Sequence, residues 1–330
     1  QGVSSSGLLL FVSQDCVTNR CRQTLDVTYP SMPLLLCFAP EYVTGMLRGI
    51  FRFAESDMWK FEYAPHDCGQ YPLLDRQVYG LLDNGTYDPA YQMAVEECGN
   101  AIICTAAAVF FGADRSFADE KRSLLTGWAR YLADNGYFPS EQLCTDDFAG
   151  HVDKNCNLSL KTIVALALFG RLYGDDEYTA LARDMAKRWE KDADDGDHTR
   201  LSFDAPGTWS LKYNIVWDRI FDLGLFCDET YAKECAFYTA KAYRYGTPLD
   251  SRETYTKLDW LAWTSVMGDE SYARSVYECI YHMTNETLSR VPMTDWYYTD
   301  TACMKGFQNR SVVGALFINL LKSKLYGKVR

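Results

Sequence analysis

The connections between helices in this chain alternate between short and long, and that alternation limits the fold more than any other feature of the sequence. Apolar residues recur at i, i+3 and i+4 from Ser31 to Leu325, with almost no strand-like alternation, which predicts an all-α chain. Two kinds of helix take turns. "AIICTAAAVFFGA", "LKTIVALALFG" and "VVGALFINLL" are apolar all round, as enclosed helices are, whereas "YTALARDMAKRWEKDA" and "YAKECAFYTAKAYRYG" carry the charged stripe of helices that face water. Links from the first kind to the second are short: "APE", "GADRS", "GDDE", "GLFCDE" and "GDE". Links back are long: "FEYAPHDCGQYPLL", "QLCTDDFAGHVDK", "SFDAPGTWSLKYN", "GTPLDSRETYTKLDW" and "SRVPMTDWYYTDTACMKGFQNR". An inner and an outer ring of α-hairpins satisfy this pattern, with every long return at one end. The reading requires "TDDF" and "MTDW" to meet at that end. Residues 1–30 are read as a lead-in segment and 31–330 as the helical ring.

Composition removes several function classes. A chain of 330 residues with 48% hydrophobic content can bury a large core. A net charge of -11 and a pI near 4.9, without any basic run, argue against a nucleic-acid partner. The longest nearly apolar stretch, Ala101 to Ala113, is shorter than the roughly 20 residues of a membrane span and reads as a core helix, so no membrane span is expected. Twelve cysteines include no CxxC pair and only four histidines accompany them, so no metal site and no cofactor are assigned. Cys16 and Cys21 are the pair expected to bridge in an exported protein. "DADDGDH" puts glycine where a calcium loop needs its third ligand, which leaves no metal there either.

The return loops carry the candidate chemistry. Asp67 in "APHDCG" and Asp295 in "MTDW" stand beside an aromatic residue or histidine in loops of low charge, a setting that shifts carboxyl pKa values, and Asp147 in "TDDF" stands in a loop where Asp146 and His151 can also exchange protons or hold a ligand. Glu96 and Glu97 open an inner helix, and adjacent helical side chains point about 100° apart, so one of them faces the centre, with Glu97 preferred. Asp67, Glu97, Asp147 and Asp295 are thus the candidate catalytic acids. His66, Glu96, Asp146, His151, Trp209, Lys257, Asp259, Trp296 and Arg310 are candidate substrate contacts, with Lys257 and Asp259 expected to pair. The plainer alternative is helix capping, which would account for Thr145, Asp153 and Asn309 and for part of "TDD". Trp260 and Trp263, at i and i+3, read as core.

Taken together, "LDVTYPSMPLLL", "YAPHDCGQYPL", "VEECGN", "QLCTDDFAGH", "DDGDHTRLSFDAPGTWSLKYNIVWD", "YGTPLDSRETYTKLDW", "NETLSRVPMTDWYYTD" and "GFQNRSVVG" strongly resemble the glutaminase A family of exported fungal and bacterial proteins. The resemblance runs from about Phe11 to the C-terminus. It implies a six-hairpin (α/α) toroid of the glycosidase-like kind, a β-sandwich region upstream of Gln1 in the same chain, and a secreted or periplasmic location. Cys16, Cys21, Cys68, Cys98 and Cys156 stand where relatives more often carry other residues.

Two enzymatic readings follow, each with a small-molecule substrate. The family implies hydrolysis of the glutamine side-chain amide, which needs an activated water, donors for the oxyanion and an acid for ammonia. Lys257, Arg252 or Arg310 would take the substrate carboxylate. The fold implies inverting glycoside hydrolysis between two carboxylates, and Trp209, Trp217, Trp260 and Trp296 suit sugar stacking. A non-catalytic binding module is the third reading. For the mechanism, Asp147, Asp67, Glu97 and Asp295 are expected to share one acidic cavity in which like charges keep one carboxyl protonated, with Asp146 as the internal control, a helix cap or a substrate contact.

Overall fold

The computed structural model describes residues 2–3, 9–15, 20–144 and 146–328, without the side chains of 2–3, Asp147 and 326–328. Cys16 and Thr145 lie outside the described residues, and with them the expected bridge to Cys21 and the expected cap. A short hairpin pairs β1 (Gly2–Val3) with β2 (Leu9–Leu10) ahead of the helices. The helices follow in the expected order: α1 (Leu25–Phe38), α2 (Glu41–Ala54), α3 (Ala94–Phe111), α4 (Ser116–Glu120), α5 (Arg122–Asn135), α6 (Cys156–Tyr173), α7 (Asp176–Asp192), α8 (Val216–Phe221), α9 (Asp228–Lys241), α10 (Leu258–Thr264), α11 (Glu270–Glu286) and α12 (Ile318–Lys328). Short 3-10 turns at Tyr213–Ile215 and Ser311–Phe317 lead into α8 and α12.

The inner members are α1, α3, α6, α8, α10 and α12. They close a ring in which α1 packs on α3, α3 on α6, and α6 on the turn before α8. That turn meets α10, which reaches the turn before α12, and this last segment returns to α1. Nearly every residue of α3 and α6 is buried, as apolar helices inside a ring must be. By length and composition α3 resembles a membrane span, yet 89% of it is buried inside the fold. Two outer helices bury one stripe only: Leu125, Trp128, Ala129 and Leu132 on α5, and Ala182, Met185, Ala186 and Trp189 on α7. These sets follow i, i+3, i+4, i+7, the spacing of one helical face.

Local chemistry makes the inner-to-outer links short. Gly112 and Gly174 end α3 and α6 in the left-handed conformation, where glycine carries no Cβ penalty. Asp175 then caps α7, its carboxylate accepting from the amides of Glu177 and Tyr178, and Asp269 caps α11 through Tyr272.

Two expectations need correction. First, α1 starts at Leu25 rather than Ser31 and continues through Pro30 and Pro33. Second, the all-α chain carries one small sheet that the sequence reading did not place: β3 (Tyr255–Lys257), β4 (Thr294–Tyr298) and β5 (Met304–Gln308) pair antiparallel in the order β3-β4-β5 within the return loops. The sheet helps bring the returns together. The Phe148 ring of "TDDF" lies 4.4 Å from the Trp296 ring of "MTDW", so the two loops share one end as the link lengths require.

Close helix approach depends on one glycine at the centre. A Cβ on Gly99 of α3 would stand 2.6 Å from Cγ and 2.8 Å from Cδ of the buried Lys161 of α6. Gly99→Ala is therefore expected to destabilise the protein by about 1–3 kcal/mol in urea denaturation, the usual cost of overpacking; an unchanged midpoint would mean that Lys161 is free to move aside.

Candidate active site

The centre of the ring is charged, although its walls are apolar. Lys161 of α6 ion-pairs with Glu96 of α3 and donates to Asn100 Oδ1 at 2.7 Å. Its ammonium lies 4.2 Å from the centre of the Tyr29 ring on α1. The Tyr29 hydroxyl donates to Asn214 and accepts from the Trp217 indole, each at 2.9 Å. Asn100 Nδ2 also donates to both neighbouring acids, to Glu96 at 3.1 Å and Glu97 at 2.9 Å. Glu96 and Glu97 are both wholly interior, which corrects the expectation that only one faces inward. Asn100 one turn on bridges their diverging directions.

Next to Glu97 lies His66, delivered by the long return between α2 and α3. Its Nδ1 is 3.0 Å from Asp67 Oδ2, and its Nε2 is 3.4 Å from Asp26 Oδ1 on α1. Burial opposes a charge on this ring, but Asp26 and Asp67 on either side hold its pKa well above the ordinary value. Asp67 also accepts from the backbone amides of Gly69 (2.7 Å), Val78 (2.9 Å) and Tyr79 (3.4 Å). So many fixed donors make it a positioning group that holds His66 and its own loop. Burial, followed by the charge of Asp26, raises Glu97 well above the usual carboxyl range. Asp26, His66 and Glu97 also form a group able to hold a metal ion, with one ligand-type atom from each within 4.8 Å of the others.

A second charged group gathers around Lys257 and Arg310. Lys257, on β3, contacts Asp259 at 2.8 Å, as the sequence suggests, and Asp295 of β4 at 2.8 Å. Arg310 contacts Asp15 at 3.1 Å and Asp295 at 3.6 Å. All five side chains are buried, so each cation is matched by acids already present.

Asp146 lies between these interior groups and the mouth. It is partly buried, and its carboxylate accepts from the Tyr213 hydroxyl at 2.8 Å and the Trp260 indole at 3.0 Å. Those two donors are stacked on each other, 4.0 Å apart and nearly parallel. Burial of its carboxyl raises the Asp146 pKa to about 7, against the Tyr213 hydrogen bond and the charge of Lys257 that hold it down. Of the two roles expected for Asp146, the cap is not the one it fills, while the Asp147 side chain lies outside the described residues. The amides that need a cap at the start of α6 are served by Asn155. Raised carboxyls are present at Asp146 and Glu97, but burial rather than like charge is the main cause at both. Beside Asp146 is a cavity of about 10 Å³ lined by Asn155, Asn157, Ser210, Asp250 and Arg252, room for roughly one water.

The remaining expected contacts separate. His151 is exposed, 3.4 Å from the Ala90 carbonyl, and does not join the interior groups. Trp209 packs edge-on against Phe237 in the wall. Trp296 stands at the mouth with Phe148, Tyr255 and Phe307. Sequence reasoning missed Asp26, Asn100, Lys161 and Tyr213; only Lys161, a charge inside an otherwise apolar run, gave a signal.

A family model described as the glutaminase A six helical-hairpin domain matches residues 3–320. The chain belongs to that family. Within it, the protein named Glutaminase A from Aspergillus oryzae is 32% identical over 319 residues, a match covering 92% of this chain and 45% of the relative. The chain thus spans under half the length of that glutaminase A relative. Among solved structures, cellobiose 2-epimerase from Spirochaeta thermophila aligns with a TM-score of 0.62 at 12% identity, over 96% of this chain and 90% of its own. Mannosylglycerate hydrolase from Thermus thermophilus aligns at 0.59 and 11%, over 97% of both chains. At such identities the likeness is one of fold: the glutaminase A domain shares the six-hairpin toroid with sugar-processing enzymes.

The raised carboxyl of Asp146 has a measurable consequence for stability. The folded chain keeps this proton up to about pH 7, whereas the unfolded chain releases it near 3.8, so ionised Asp146 costs stability that grows as pH rises between those values. Asp146→Asn removes that ionisation. Its melting temperature is expected to exceed that of the wild type at about pH 8 and to converge with it at about pH 4; equal destabilisation at both would contradict a raised pKa.

Proposed function

We propose that this domain hydrolyses the side-chain amide of L-glutamine to glutamate and ammonia, with Asp146 as the proton-transfer group. The observation that carries the reading is a carboxyl with a pKa of about 7 at the mouth of a glutaminase A toroid, beside a water-sized cavity. A group whose pKa is near the working pH can both take and return a proton. Asp146 accepts a proton as the water oxygen attacks the amide carbon, then returns it to the departing nitrogen, so that ammonia leaves and the carboxylate remains. Tyr213 and Trp260 hold the carboxylate in one orientation. Lys257, Arg310 and Arg252 all have acid partners, Arg252 pairing with Asp250 at 2.6 Å, but Arg252 alone of the three lines the cavity and keeps a side chain 33% exposed, which favours Arg252 as the contact for the substrate carboxylate.

One observation favours a second reading. Phe148, Tyr255, Trp296 and Phe307 make an aromatic wall at the mouth, with Lys305 over the Trp296 ring at 6.0 Å, and such a wall suits a sugar face. Ammonia release from glutamine and reducing ends from a glycan panel, measured on the same purified protein, separate the two. The amide reading predicts ammonia release that falls about 10²–10⁴-fold in Asp146→Asn, with KM changed little. Reducing ends without ammonia would establish the sugar reading instead.

A further inference from the structure

The trio Asp26, His66 and Glu97 has features that an ordinary buried charge network does not need. Asp67 is an acceptor for three backbone amides, so the proton shared with His66 Nδ1 belongs to the histidine. The other ring nitrogen, Nε2, is thereby turned toward Asp26. An imidazole fixed from behind by a carboxylate is the usual way a protein presents a metal-binding histidine. Glu97 supplies the second observation. It is wholly buried, its Oε2 accepts from Asn100, and its Oε1 has no hydrogen-bond partner. A buried carboxyl in that state either keeps its proton, in line with the raised pKa of Glu97, or is met by a cation. Neighbouring Glu96 is already engaged by Lys161, and Asp67 holds Nδ1, which leaves Asp26 and Glu97 as the acids available to a ligand at this trio.

Distance supports the same conclusion. His66 Nε2 and Asp26 Oδ1 are 3.4 Å apart, long for a direct hydrogen bond. Two ligands of a tetrahedral ion with bonds of about 2.0–2.1 Å are separated by roughly 3.3–3.4 Å. We propose that Asp26, His66 and Glu97 bind one divalent first-row transition ion, of which zinc is representative, with Asp67 positioning the imidazole. One nitrogen and two carboxylate donors suit such an ion; magnesium and calcium prefer all-oxygen shells. The site is built from α1, α3 and the return between α2 and α3, and it does not depend on which bond the enzyme cleaves.

The test is metal uptake by the purified protein. After stripping with a chelator, the wild type is expected to take up one equivalent of Zn²⁺ in competition with a chromophoric chelator, and excess Mg²⁺ should not displace it. His66→Gln and Glu97→Gln should each weaken binding by about 100-fold or more, and the positioning variant Asp67→Asn by about 10–100-fold. Cys227→Ser and Cys303→Ser, at exposed thiols, should leave it unchanged. If the core variants fail to fold, Co²⁺-loaded wild type decides the matter: visible bands of cobalt in an oxygen and nitrogen field, without thiolate charge transfer, support the site. No uptake by the wild type, unchanged affinity in folded His66→Gln and Glu97→Gln, or a thiolate charge-transfer band would overturn it.

Discussion

A single ammonium group organises the centre of this protein. Lys161 is fully buried on a helix whose neighbours are apolar, and its charge is matched by Glu96, Asn100 and the face of Tyr29. Tyr29 in turn is tied to Asn214 and Trp217. Four inner segments of the ring, α1, α3, α6 and the turn leading into α8, therefore converge on one ammonium. Removing one partner of such a buried pair typically costs about 3–5 kcal/mol, because the other charge is left without solvent. Gly99 is the steric counterpart, since the close approach of α3 to α6 leaves no space for a side chain where Lys161 passes.

From that anchor the chemistry is graded along the axis of the ring. Deep groups are held in pairs: Glu96 with Lys161, Asp295 with Lys257, Asp15 with Arg310. Toward the mouth, Asp146 is bonded by two neutral donors, and its burial is only partly offset by those bonds and by the charge of Lys257. This difference in partners gives it a raised pKa and suits it to moving a proton. The sheet pairs Lys257 of β3, which serves the interior, with Trp296 of β4, which stands at the mouth.

Much of this is legible in the sequence, and the exceptions have physical causes. Link lengths and helical stripes are local properties, so the ring and the common end of its returns can be read directly. Asp26 escapes because Pro30 and Pro33 argue against a helix that tertiary packing nevertheless sustains. The strands escape because segments such as Tyr255–Lys257 are too short to show an alternation. Within "TDD", the inward turn of the Asp146 carboxyl depends on Tyr213 and Trp260, more than 60 residues away in the chain. Asp67 attracts notice for its place beside His66, but only the backbone amides around it reveal an acceptor that holds a neighbour in position.

The central claim is that Asp146 changes charge close to neutral pH. Its carboxyl carbon can be followed by ¹³C NMR in protein labelled at aspartate, with the Asp146→Asn variant identifying the resonance. The account predicts a titration midpoint near 7 for this carbon, set apart from those of the exposed aspartates. A midpoint near 3.8, the ordinary aspartate value, would contradict it.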